Sequence, residues 1–110
     1  MRINIQFQER WREAILDGRK VCTSRGKRYG KPGDTFGVFG SEFELLAVAK
    51  VSLEDVSKHL FRQEGCRNPE EFQEIWVELH HRKGFAPEKM VYVHWFSKKQ
   101  WAWRKTGEPP

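Results

Sequence analysis

No stretch of this chain approaches the roughly 20 consecutive apolar residues that a membrane-spanning helix requires. The sequence also lacks internal repeats, low-complexity segments and any internal linker. Cysteine is scarce: Cys22 and Cys66 stand far apart, with no second ligand at metal-binding spacing, and a reducing compartment needs no disulfide between them. The four histidines are His59, His80, His81 and His94; the adjacent pair at 80 and 81 would point about 100° apart on a helix and cannot clamp an ion in i, i+4 fashion. No metal and no other cofactor is expected. The opening residues Met1 to Gln6 lack a basic segment followed by an apolar one, so the expectation is a cytoplasmic protein without membrane association.

What remains is a 110-residue chain, enough for one domain with one core, in which 38% of residues are hydrophobic and 32% charged. The net charge of +5 favours an anionic partner such as a nucleic acid, although many basic small domains bind none.

Periodicity orders the elements. Arg2 to Gln6 alternates as a short strand. Phe7, Trp11, Ala14 and Ile15 then share one helical face, and Gly18 stops the helix by accepting the left-handed conformation. Gly30 to Asp34 is a turn between that region and a strand at Thr35 to Phe39. After Gly40-Ser41, a longer strand spans Glu42 to Val51, with Leu45, Ala47, Ala49 and Val51 on one face and Leu46 and Val48 on the other, as if buried on much of both. Ser52 caps a helix, with Asp55 reaching back, that runs to about Gln63 and ends at Gly65. Asn68 and Pro69 open the next, to Arg82, with Phe72, Ile75, Trp76 and Leu79 as its buried stripe. Met90 to Phe96 is apolar on both faces, as a central strand is. The order β-α-β-β-β-α-α-β predicts an α+β fold. It suggests a small, mostly antiparallel barrel of about five strands with helices packed around it; an open α+β sheet fits the periodicity equally. The domain covers residues 1–96, and residues 97–110 form a basic tail.

One stretch concentrates charge. Gly18-Arg19-Lys20-Val21-Cys22-Thr23-Ser24-Arg25-Gly26-Lys27-Arg28 holds five cations and no acid. It reads as a solvated face or as one wall of an anion-binding cleft built on Arg19, Lys20, Arg25, Lys27 and Arg28. Thr23 and Arg25 would share a strand face. Lys20 and Thr23, three apart, would not, so a bulge or a helix-to-strand turn must intervene if both are to reach one ligand. In the tail, Trp101 and Trp103 alternate with cations; they either stack on bases or pack across the core.

The pattern Gly18-x-Lys20-x-x-Thr23-x-Arg25, followed by Gly33-Asp34 at the head of a strand and by the terminal apolar strand, resembles the ASCH domain family, whose fold is similar to the PUA RNA-binding domain. The resemblance spans Arg2 to about Phe96. It implies a PUA-like fold and an RNA or nucleoside-like partner. Within the family, the chain is similar to the small bacterial amidohydrolases of N4-acetylcytidine, in which a lysine and a threonine of this motif and a glutamate after the next helix carry the reaction. Those positions correspond to Lys20, Thr23 and Glu64, with Glu54, Glu70 and Glu71 as alternative candidates for the glutamate. The loop before Gly33 is more basic than the family pattern, the helix from Pro69 is longer, and the tail is additional.

Two function classes follow. One is a binding module for RNA or a nucleoside-like ligand, with Arg19, Arg25, Lys27, Arg28, Trp101 and Trp103 as contacts. The other is an amidohydrolase acting through Thr23 as nucleophile, Lys20 as its base and Glu64 as the group that orients the lysine or protonates the leaving amine. The enzyme requires those three side chains to converge.

Overall fold

The computed structural model describes residues 1–99. Its second half is organised by two side-chain caps. Ser52 Oγ accepts the Asp55 amide at 3.1 Å and starts α2 (Leu53–His59). Asn68 Oδ1 accepts the Glu71 amide at 2.8 Å and, with Pro69 in the first turn, starts α3 (Pro69–Leu79). Both helices are shorter than their periodicity suggests. α2 ends at His59, and turns carry the chain to Gly65; α3 ends at Leu79, three residues before Arg82. The expected apolar stripe of α3 divides accordingly: Phe72 and Trp76 are buried, Ile75 is half-buried, and Leu79 is 48% exposed. In the first half, a 3-10 turn (Glu9–Trp11) leads into α1 (Arg12–Leu16), which buries Ala14 and Ile15.

Four antiparallel strands form a half-barrel sheet in the order β1-β4-β3-β2: β1 (Cys22–Arg25), β2 (Thr35–Val38), β3 (Ser41–Ser52) and β4 (Met90–Lys98). β2 and β3 are joined by the two-residue turn Phe39-Gly40. Both residues have positive φ (51° and 78°), the geometry that matches strand twist in a tight hairpin.

The barrel of about five strands is corrected to this four-stranded half-barrel. Arg2 to Gln6 makes a single parallel bridge, Arg2 to Thr35, flanked by bonds from Ile3 N to Thr35 O (2.8 Å) and Thr35 N to Met1 O (2.9 Å). The segment then leaves the sheet because its apolar side chains are drawn beneath it: Ile5 is buried, and Phe7 packs on Phe36 and Phe96. The reading of β3 as buried on both faces is also corrected. A bulge between Leu45 and Ala47 inserts Leu46 as an extra residue against β4, leaving it 55% exposed, and reverses the side-chain alternation beyond it. Ala47 and Ala49 consequently lie exposed.

The sheet divides the core in two. One cluster joins Cys22, Val91 and Val93 to Leu53, Val56, Cys66, Phe72 and Trp76 beneath α2 and α3. The other surrounds Phe36, Phe43 and Phe96, whose ring centroids lie 5.5–5.7 Å apart, with Ile5, Ile15 and Leu45. Phe96→Ala removes a ring that takes part in two of those three contacts and in a third with Phe7. It is expected to cost about 3–5 kcal/mol in urea unfolding, whereas Leu46→Ser, at the exposed bulge, should stay within about 0.5 kcal/mol. Equal losses would refute this account of the core.

Candidate functional site

The linker between α1 and β1 is fixed from both sides. Lys20 N donates to Ala14 O at 2.9 Å, the amides of Val21 and Cys22 both donate to Gln63 O (2.8 and 3.2 Å), and Phe96 N donates to Val21 O at 3.0 Å. These bonds set Lys20 and Glu64 side by side although 44 residues separate them. Lys20 Nζ donates to Glu64 Oε1 at 3.0 Å and to its backbone carbonyl at 2.8 Å. Ser24 Oγ donates to the other carboxylate oxygen, Oε2. Lys20 and Glu64 are only 3% and 4% exposed, so this is a buried ion pair with both carboxylate oxygens engaged. Lys20 Nζ also lies 4.5 Å from the centre of a Trp11 ring, a cation–π contact.

Gly65 makes that approach possible. Its φ of +90° belongs to the left-handed region, and a Cβ there would stand 3.0 Å from Trp11 Cζ3 and 3.1 Å from Lys20 Cβ. Among the other carboxylates, Glu54 pairs with Lys58 and Glu71 with Arg67, while Glu70 is exposed. Glu64 is the one that faces Lys20.

Thr23 is buried beside this pair. Its Oγ1 accepts from Arg25 Nε at 3.0 Å, and Arg25 Nη2 reaches Gln6 O at 2.6 Å. The guanidinium packs on Phe7 and Tyr29, and this burial lowers its pKa from the ordinary arginine value. Behind them His94, fully buried, donates from Nδ1 to Tyr92 O and accepts the Tyr29 amide on Nε2, each at 3.0 Å, which specifies the neutral ring.

Lys20, Thr23, Ser24, Arg25, Lys27 and Glu64 line one cleft of about 620 Å³. Phe7, Trp11 and Tyr29 also line it, with Phe72, Ile75, Trp76 and Leu79 from α3 and His80 just after that helix. Lys20 and Thr23 reach the same space because Lys20 precedes β1 and because β1 is an edge strand. Thr23 pairs with His94 and Ser24 with Val93, so their side chains leave opposite faces of the sheet, yet both meet the cleft around the free edge. Sequence reasoning missed Ser24, Trp11, Tyr29 and the aromatic face of α3. The apolar stripe of α3 was visible, but nothing in it distinguishes core from cleft wall.

Other residues singled out from the sequence lie elsewhere. Arg19 pairs with Asp17, and Arg28 donates to Gly30 O at 2.8 Å; neither lines the cleft. Trp101 and Trp103 lie outside the described residues. The cysteines are free and buried. Burial pushes the Cys66 thiol up to about 11 and the Cys22 thiol further still, so neither is a reactive thiolate at neutral pH. Among the described residues, no group of three His, Cys, Asp or Glu side chains could hold a metal, and no helix is long and apolar enough to cross a membrane.

Two outcomes follow from these contacts. Removing either member of the buried pair strands the other charge. Glu64→Leu and Lys20→Met should each cost about 3–5 kcal/mol in urea unfolding, and the double variant Lys20→Met/Glu64→Leu markedly less than their sum. Strict additivity would show that the two do not act as a pair. For His94, burial lowers the pKa from the ordinary 6.5. Below pH 6.5 the unfolded chain therefore binds a proton that the folded protein refuses, and this histidine's contribution to stability, complete above that pH, is lost as pH falls toward the folded pKa. By NMR the ring should titrate below the ordinary histidine value; titration at or above it would contradict the assigned hydrogen bonds.

No protein-family model and no curated protein matches the sequence. Solved structures do resemble it. The ASCH domain from Lactobacillus crispatus JV V101 superposes with a TM-score of 0.70 at 16% identity, covering 88% of this chain and 77% of that one. The hypothetical protein PH0355 gives 0.69 at 19% identity, over 90% of this chain and 100% of the other. A protein from Enterococcus faecalis V583 in the DUF984 family gives 0.63 at 17% identity, over 81% and 69%. At such identities the likeness is one of fold, and the fold of this chain is ASCH-like.

Proposed function

We propose that the cleft binds the base of a nucleoside-like ligand, free or within RNA. The observation that carries this reading is the meeting of a polar floor (Lys20, Thr23, Ser24, Arg25 and Glu64) and an aromatic wall (Trp11, Tyr29, Phe72 and Trp76) in the lining of a single cleft of small-ligand size, Trp11 lying against Lys20 and Tyr29 against Arg25. A planar heterocycle satisfies both sides, stacking on the wall while its ring edge exchanges hydrogen bonds with the floor.

The contact between Lys20 and Glu64 favours a second reading, hydrolysis of an acyl amide such as that of N4-acetylcytidine. In that reaction, Lys20 passes a proton to Glu64 and takes one from Thr23 Oγ1 as the hydroxyl attacks the acyl carbonyl. Glu64 gives its proton to the leaving amine as the C–N bond breaks, and water then hydrolyses the ester on Thr23, its oxygen leaving in the carboxylic acid and a proton returning to Thr23 Oγ1. Arg25 holds the Thr23 oxygen in place through its Nε.

Calorimetric titration with cytidine, uridine and adenosine is expected to give saturable binding of at least one, weakened on the order of tenfold by Arg25→Ala. Failure of all three to bind would overturn the first reading. Incubation with N4-acetylcytidine tests the second. It requires release of cytidine that Thr23→Ala and Lys20→Ala both abolish while their circular dichroism remains that of the folded protein. Binding without turnover would leave only the first reading.

A further inference from the structure

We propose that the ligand carries a phosphate next to its base, held in a second depression that adjoins the cleft past the C-terminal end of α3. This deepens, and rests on, the nucleoside reading above. The depression, about 360 Å³, is lined by His81, Arg82, Lys83 and Lys89. It adjoins the main cleft: Gly26, Trp76, Leu79 and His80 line both. His80 stacks on Trp76 with ring centroids 4.0 Å apart and forms the shared ridge.

Cations at the end of a helix are ordinarily explained by the helix dipole, and Arg82 and Lys83 alone would carry nothing. Here two separate segments supply positive charge to the depression itself, and a third supplies it to the adjoining cleft. Arg82 and Lys83 follow α3, Lys89 precedes β4, and Lys27, at the rim of the main cleft, follows β1. Arg82, Lys83, Lys89 and Lys27 have no carboxylate partner among the described residues, whereas Arg10, Arg19 and Lys58 are each ion-paired. No carboxylate lines the second depression, and the one in the main cleft, Glu64, is already matched by Lys20. A cationic shelf one step from an aromatic-walled base site is the chemistry that a phosphate-bearing nucleoside needs, whether as a mononucleotide or within a strand.

The experiment compares a nucleoside that binds with its 3′- and 5′-monophosphates and a trinucleotide containing it, at two salt concentrations, in the parent protein and in Arg82→Ala/Lys83→Ala. Phosphate should tighten binding on the order of tenfold at low salt, and the gain should shrink at high salt and collapse in the double variant. A further gain from the trinucleotide identifies a strand as the source of the phosphate; equal gains identify the mononucleotide. If nucleoside and nucleotides bind alike, or if the gain survives in the double variant, the shelf is overturned while the base site stands. If none of them binds, the base site falls and the shelf with it.

Discussion

The short segment from Gly18 to Cys22 is held by two chemically different ties to the loop after α2. One is neutral: the Val21 and Cys22 amides share Gln63 O. The other is ionic: Lys20 and Glu64 pair with their side chains almost wholly buried. Such a pair is weak support for stability, because each ion gives up its hydration and the attraction between them only offsets that loss. Its consequence is geometric. Glu64 can be satisfied only where Lys20 Nζ and Ser24 Oγ both reach it, and Lys20 only where its stem lies against Trp11 and Gly65. The pairing thus fixes α1, β1 and the α2–α3 loop relative to one another, and the cleft lies where they meet.

What the sequence revealed follows from how locally each signal is encoded. Caps act over three residues, so Ser52 and Asn68 marked the helix starts, and the Gly40-Ser41 region marked the hairpin. The bulge at Leu46 was invisible because residues 45 to 49 are all apolar; the extra residue is defined only by its pairing with β4. Arg2 to Gln6 has strand periodicity, yet Ile5 and Phe7 gain more by packing beneath the sheet than by extending an edge. α3 looked longer because polar residues after Leu79 do not oppose helix continuation, and only the chain's return toward β4 does.

The site was legible in part for the same reason. Lys20 and Thr23 stood out through a compact motif. Glu64 could be set above Glu54, Glu70 and Glu71 only by resemblance, since its selection depends on the Gln63 carbonyl accepting two amides from the other side of the molecule. Ser24 offered no signal, because a serine in a four-residue strand is unremarkable until its strand lies at the sheet edge beside a buried carboxylate.

That edge explains why the cleft is where it is. An unpaired strand edge exposes backbone donors and acceptors and invites pairing with another chain. Here β1 is only four residues long, its start is covered by Gln63 O, and Arg25 and Lys27 place charge at its end. These features discourage strand addition without filling the space. A central strand would have separated Thr23 from Ser24 and Lys20 by the full thickness of the sheet. At the edge, side chains from both faces converge on one volume, and the aromatic face of α3 lines it too. The parity that seemed to forbid cooperation between Lys20 and Thr23 is thereby resolved without any distortion within β1 itself.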